Sequence, residues 1–344
     1  MTSTPEVSQI AAALKRFGRF LLVCHERADG DSLGCLLGLG LSLQSLGKST
    51  IMYSPGGVPE LYRFLPHQEG VISSLQNTAR DEVDVVICVD CDGLARAGEL
   101  SQWLDSRAGE TSARSTQPGA TTQDHRPLVI DVDHHEPDKA FGDIRLVVPQ
   151  APATAALVYQ ILTEMETPIS RDVATCLLTG IYLDTGSFRY DNTNEEVLML
   201  AARLTALGAQ PAFVARGLYD AKSLPTLRLL GRALCSSTMT ADGKIIFAQL
   251  TAQDFKYAGA QREDTEGIID LLRAHREALV AALFIQLDGP TVKVSLRSKR
   301  NIDVSVVASH YGGGGHARAS GFNLPGPLKK AVPAVIDEIQ RLLG

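Results

Sequence analysis

Leu21-Leu22-Val23-Cys24-His25-Glu26-Arg27-Ala28-Asp29-Gly30-Asp31-Ser32-Leu33-Gly34-Cys35-Leu36 is the stretch that decides the fold. Its opening run, Phe20 to Cys24, is short, apolar and unbroken, which fits a strand buried on both faces of a parallel sheet. A tight glycine turn follows, and Asp31 or Ser32 is placed to cap the apolar helix beyond it. His25, Asp29 and Asp31 are thereby delivered to the carboxyl end of a central strand, where open α/β sheets keep their sites. Side chains of these types suit a hard divalent metal.

Alone, His-x-x-x-Asp-x-Asp is a weak signal, because acidic turns after strands are common on solvated loops. Repetition strengthens it. The strand-like run Val85 to Val89 ends in Asp90, with Asp92 close behind; Leu128-Val129-Ile130 leads into Asp131 and then Asp133-His134-His135. The apolar helical stretch Ala174 to Leu183 ends at Asp184-Thr185-Gly186-Ser187. Several apolar elements thus finish in Asp or His, and burying carboxylates is costly unless a counter-charge neutralises them. A shared metal cluster is the economical account.

The surrounding pattern is α/β. A chain of 344 residues, 44% hydrophobic, has length for about two domains. Strands alternate with helices over residues 1–210, predicting a mainly parallel sheet flanked by helices, interrupted at 105–127 by a Ser/Thr/Gln/Gly/Pro-rich surface insertion that contains His125. Helical patterns at Glu195 to Leu207 and Pro211 to Leu234 predict a connector over 211–234. Over 235–344, two hairpins centred on Asp242-Gly243 and Asp288-Gly289 predict a smaller α/β domain with a mixed sheet. Apolar runs stop short of a membrane span, and the N-terminus lacks the pattern of a signal peptide. Six cysteines in mostly apolar surroundings read as reduced, which predicts a cytoplasmic protein. The net charge of -6 argues against a long clamped duplex, while Lys293, Arg297, Lys299, Arg300 and Arg318 form a local basic cluster able to grip a phosphate or two.

In their order along the chain, the His25/Asp29/Asp31 motif, Asp90, Asp133-His134-His135, Asp184-Thr185-Gly186 and Gly312-Gly313-Gly314-Gly315-His316 resemble the DHH phosphoesterase superfamily with its DHH-associated C-terminal domain. The likeness extends over nearly the whole chain. Its single-chain, two-domain layout is similar to the nanoRNase and pAp-phosphatase type, more than to the membrane-tethered cyclic-dinucleotide phosphodiesterases. Soluble inorganic pyrophosphatases share the metal half, but the glycine-rich His316 motif argues against them.

The resemblance implies two Mn2+ ions, with Mg2+ or Co2+ as substitutes. His25, Asp29, Asp90 and Asp184 would hold one ion and Asp31, Asp90, His134 and Asp184 the other, with Asp90 and Asp184 bridging. Two such ions activate a water for attack on phosphorus, so no protein nucleophile is required. His135 would face the substrate phosphate and assist the leaving group, and Asp133 would orient the loop or a ligand histidine. Asp92 is as readily a solvated residue as a supporting one. Arg297, Ser298, Gly313, Gly314, Gly315 and His316 would grip one end of the nucleotide, across an interdomain cleft from the metals, with Arg189 a further phosphate contact. Tyr190 could stack on a base, whereas Phe188 is expected in the core. Ala28 stands where the first motif commonly has proline, and Asp138 where many relatives have asparagine; neither removes a ligand. The expected substrates are short single-stranded RNA oligonucleotides and pAp, with linear or cyclic dinucleotides as the alternative and a non-catalytic nucleotide sensor as a different class. A homodimer is the family-level expectation.

Overall fold

The unbroken apolar runs lie side by side in the middle of one sheet. In the computed structural model, which describes residues 4–105, 126–135, 140–220, 222–287 and 289–344, the chain divides into two units, Met1–Ala221 and Lys222–Gly344. Residues 106–125 of the Ser/Thr-rich insertion, with His125, and Asp138 fall outside the described residues, as does the His316 side chain.

The first unit holds β1 (Arg19–Val23), β2 (Ser49–Tyr53), β3 (Val71–Ile72), β4 (Val85–Val89), β5 (Leu128–Asp133) and β6 (Ile144–Val147). Their order is β3-β2-β1-β4-β5-β6, and every neighbouring pair is parallel. Its helices are α1 (Pro5–Arg16), α2 (Gly30–Ser45), α3 (Leu100–Asp105), α4 (Thr154–Glu164), α5 (Arg171–Asp184), α6 (Glu195–Ala206) and α7 (Pro211–Tyr219). Alternate strand residues serve two cores. Phe20, Leu22, Val85, Ile87, Ile130 and Val132 join a cluster with α1, α2, α4, α5, α6 and α7, while Leu21, Val23, Val86, Cys88 and Val129 pack with Tyr53 and with Trp103 of α3. Both faces being apolar, β1 and β4 show no polar alternation. The direction of winding reverses between β1 and β4, and the loops beyond that reversal carry His25 and Asp90.

One expectation needs correction. The cap of α2 is Asp29, not Asp31 or Ser32: its Oδ1 accepts from the amides of Asp31 and Ser32, both at 3.0 Å, and the Ser32 hydroxyl oxygen in turn accepts from the Asp29 amide. Asp31 therefore lies inside the first turn, fully buried.

The second unit holds α8 (Leu224–Cys235), β7 (Thr238–Met239), β8 (Ile245–Thr251), α9 (Ala252–Ala258), α10 (Ile268–Arg273), β9 (Val280–Gln286), β10 (Thr291–Ser298), α11 (Ser305–His310), β11 (Gly314–His316), β12 (Ala319–Pro325) and α12 (Leu328–Leu343). Its sheet runs β11-β12-β10-β9-β8-β7 and is mixed, with β8 and β9 parallel and the other pairs antiparallel. The stretch 211–234 is two helices, α7 in one unit and α8 in the other. No single helix among the described residues is long and apolar enough to cross a membrane. The pair α6 and α7 passes that test only together, bent by 105°, and its Val197, Leu200, Leu204, Val214 and Leu218 are buried in the core.

Candidate metal centre

Burial on both faces makes the carboxyl edge of this sheet the first place where polar side chains can leave β1, β4 and β5, and the ends of α2 and α5 meet them there. His25, Asp29 and Asp90 form one group of potential ligand atoms, and Asp31, His134 and Asp184 another; within each, the atoms lie within 4.8 Å of one another. A third group of the same spacing is Asp90, His134 and His135.

Two of the imidazoles, those of His25 and His134, are oriented by carbonyls. His25 Nδ1 lies 2.7 Å from the Glu26 carbonyl and His134 Nδ1 lies 3.2 Å from that of Ala151. A carbonyl only accepts, so Nδ1 is the donor in both contacts, and Nε2 of each ring faces the carboxylates. His25 Nε2 stands 3.9 Å from Asp29 Oδ1 and 3.8 Å from Asp90 Oδ2; His134 Nε2 stands 3.0 Å from Asp184 Oδ2 and 3.6 Å from Asp90 Oδ1. Asp90 itself has φ 58°, a left-handed conformation that aims its carboxylate back over the strand end between the two histidines.

His135 is held differently. Its Nδ1 donates to Asp133 Oδ1 at 2.7 Å, and its amide donates to the same oxygen at 2.9 Å. Asp133 Oδ2 accepts from the Asp92 amide at 2.7 Å, so Asp133 ties the β4 and β5 loops together and orients His135 rather than His134. The Asp92 carboxylate faces Arg96, whose Nη2 also lies 3.2 Å from His25 Nδ1.

Electrostatics expose the strain of this crowding. Burial, then the charges of Asp184 and Asp90, push Asp31 well above the usual carboxylate range. Burial also raises Asp184, against the pull of His134. Asp90 goes the other way: burial alone would raise it, but His135, His134 and His25 hold it well below the usual range. Burial opposes charge on the imidazoles, yet Asp184 lifts His134 to about 10, and Asp133 with Asp90 lifts His135 to about 11. On the same strand, burial and the charge of Asp133 push Asp131 up to about 7 despite Arg145 nearby. Protons thus supply the positive charge that these carboxylates demand, and a divalent cation can replace them. The oxygen-rich donor set, with one imidazole in each of two groups, fits manganese or magnesium better than a thiophilic ion.

Sequence reading missed five residues around the centre. Thr154 and Ala155 donate backbone bonds to Asp31, and the Thr154 hydroxyl donates to Asp90; a threonine starting an apolar helix gives no hint of this. Gly180 of α5 is needed because Asp31 Oδ1 occupies the place of its missing Cβ, with Ala155 Cβ a further 2.9 Å neighbour. Cys88 and Cys91 stand at Cys-x-x-Cys spacing around Asp90, both fully buried with free thiols.

The other expected residues fall as follows. Arg189 is exposed in the loop after α5, its Nε donating to the Gly186 carbonyl at 2.6 Å. The Tyr190 ring packs against Gly186, and Phe188 packs edge-on against Tyr182 in the core. In the second unit, Arg297 Nε donates to Asp270 and Nη1 to the Leu296 carbonyl, leaving Nη2 without a partner among the described residues. Ser298, expected to contact substrate, is fully buried and its hydroxyl donates to the Ile302 carbonyl at 2.6 Å, so it holds the loop after β10. The glycine run also serves packing: a Cβ on Gly313 would strike Phe322, and one on Gly315 would sit 2.9 Å from Ser320 Cα. Gly314 alone of these three faces open space.

Comparison with known proteins adds the family. A model of the "DHH family, N-terminal domain" matches residues 19–181, and a "DHHA1 domain" model matches 242–344. The "Bifunctional oligoribonuclease and PAP phosphatase NrnA" of Thermus thermophilus is 30% identical over 338 residues, 98% of this chain and 93% of that protein. The chain belongs to the DHH family. As a DHH protein it is a hydrolase of the phosphoesterase class. The Bacillus subtilis protein of the same description is 24% identical over 322 residues, covering 92% of this chain and 93% of that one. The crystal structure of an exopolyphosphatase-related protein from Bacteroides fragilis shares the fold, with a TM-score of 0.85, 24% identity, and coverage of 98% of this chain and 95% of that chain.

Proposed function

We propose that this DHH protein is a manganese-dependent phosphoesterase that trims short single-stranded RNA to mononucleotides and removes the 3′-phosphate of pAp. The observation that carries the reading is the convergence of His25, Asp29, Asp31, Asp90, His134 and Asp184 at one sheet edge, in two groups with ligand spacing. The substrate class is drawn from the full-length relatives whose names specify oligoribonuclease and PAP phosphatase.

In this reading His25, Asp29, Asp90 and Asp184 hold one ion and Asp31, Asp90, His134 and Asp184 the other. When bound, such a pair of ions lowers the pKa of a water and neutralises charge on the phosphoryl oxygens. The chain's own residues do the rest. The Glu26 and Ala151 carbonyls accept from Nδ1 of His25 and His134 and so orient both rings with Nε2 toward the centre, where a bound cation would displace any proton there. His135, kept as an imidazolium by Asp133 and Asp90, donates through its remaining N–H to a phosphoryl or leaving oxygen. In the second unit, Arg297 through Nη2, open Gly314 and His316 are assigned a phosphate-binding role. Arg189 is assigned a phosphate on the first unit. Such substrates place the enzyme in the cytoplasm, and a homodimer is its expected assembly.

The test is purified protein with Mn2+ on a 5′-labelled RNA pentamer, pAp, and linear and cyclic di-AMP, with Asp90→Ala as control. Shortening of the pentamer and dephosphorylation of pAp, both abolished in Asp90→Ala, are expected. Activity that survives Asp90→Ala refutes the two-ion mechanism. Turnover confined to the dinucleotides moves the substrate assignment to them.

A further inference from the structure

The short segment Ala151-Pro152-Ala153-Thr154-Ala155 offers no ligand atom to the centre, yet its hydrogen bonds reach the residues around one side of it. The Ala151 carbonyl accepts from His134 Nδ1. The Thr154 amide donates to Asp31 Oδ2 at 2.6 Å and the Ala155 amide to Asp31 Oδ1 at 3.0 Å, at the N-terminus of the 11-residue helix α4. Thr154 Oγ1 donates to Asp90 Oδ1 at 2.9 Å. The Pro152 carbonyl accepts from Asn192 Nδ2 at 3.1 Å, and the same amide group donates to the Asp184 carbonyl at 3.0 Å. Asp31, Asp90, His134 and Asp184 are the four residues assigned to the second ion. Among the described hydrogen bonds, none runs from this segment to His25 or Asp29.

The two oxygens of Asp90 make the asymmetry specific. Oδ1, bonded to Thr154, is the oxygen beside His134, at 3.6 Å from Nε2; Oδ2 is the one beside His25, at 3.8 Å. A carboxylate free to rotate could exchange these positions; the buried Thr154 hydroxyl opposes it, beside His135 Nδ1 at 3.4 Å from the same Oδ1.

We propose that the 151–155 segment is the template of the second metal site, and that Thr154 is a positioning residue that turns one oxygen of Asp90 toward that ion. The inference rests on the two-ion reading above. Its test is Mn2+ titration by calorimetry, with electron paramagnetic resonance of the loaded protein, on wild type, Thr154→Val, Thr154→Ser and Asn192→Ala. Valine keeps the size and the backbone bond to Asp31 but removes the hydroxyl. Thermal unfolding in EDTA reports on folding.

Wild type is expected to take two ions per chain with a spin-coupled spectrum. Thr154→Val should bind the first ion as wild type does and the second roughly 10- to 100-fold more weakly, with an uncoupled six-line spectrum persisting at two equivalents, where wild type is coupled. Thr154→Ser should restore the coupled pair, and Asn192→Ala, at an exposed position, should weaken the second ion more than the first. Thr154→Val that titrates as wild type overturns the proposal. So does loss of both ions together with a lowered metal-free melting temperature, which would make Thr154 a general packing residue. Wild type that binds no Mn2+ would instead refute the two-ion reading itself.

Discussion

Asp31→Asn should change the sign of its effect on stability when metal is added. Asp31 and Asp184 present ligand atoms within 4.8 Å of one another in a buried site. At that separation two carboxylates repel by ~3.5 kcal/mol at an effective dielectric of about 20. Asparagine removes the repulsion. Its single oxygen, however, can take only one of the amide bonds now donated by Thr154 and Ala155, and the unmet donor costs ~1–2 kcal/mol. The net gain in EDTA at pH 8 is about 2 kcal/mol. With Mn2+ at about 1,000 times its dissociation constant, each bound ion stabilises the native state by ~4 kcal/mol. Asp31→Asn forfeits one ion, so it becomes less stable than wild type by about 2 kcal/mol. For a unit of this size the melting temperature moves ~2–4 °C per kcal/mol. Thermal unfolding by circular dichroism should therefore show the variant melting several degrees above wild type in EDTA and several degrees below it in Mn2+. The same sign in both conditions would refute the account of Asp31 as a repelled carboxylate held for a cation.

Three other outcomes follow from the same geometry. In EDTA, wild type should melt at a lower temperature at pH 8.5 than at pH 5.5. Asp131, raised from 3.8 to about 7, and His134 and His135, raised from 6.5 to about 10 and 11, bind protons more tightly when folded, so their stabilisation is lost as pH rises through those ranges. The lowered Asp90 acts only in acid, below the ordinary carboxylate value, and a melting temperature that climbs from pH 5.5 to 8.5 would contradict this balance. Gly180→Ala should destabilise by about 1–3 kcal/mol in denaturant titration and weaken Mn2+ binding, because the new methyl displaces Asp31; wild-type behaviour in both would disprove the close approach. Arg297→Ala should raise KM for the RNA pentamer with Mn2+ stoichiometry unchanged, and an unaltered KM would remove Arg297 from the substrate site.

The sequence by itself was enough for the α/β class, the parallel first sheet, the mixed second sheet and the segment ends whose Asp and His side chains gather at the edge of the first sheet. The physical reason is local: a strand buried on both faces is a continuous apolar run, and the first Asp or His after it stands at the sheet edge. Periodicity likewise marked α5 as an apolar helix ending at Asp184. Tertiary structure alone decided how those side chains are held. That Asp29, not Asp31, caps α2 depends on a carboxylate rotamer, and that Thr154 and Ala155 clamp Asp31 depends on residues more than a hundred positions apart in the chain. Asp133 serving His135, the burial of Ser298 and the packing role of Gly313 and Gly315 against β12 are also products of long-range contact. Which Asp and His side chains gather at a sheet edge can be read from where the strands and helices end, because the backbone puts them there. The hydrogen bonds that orient each ligand come from whichever elements the fold packs beside it, and no local pattern records them.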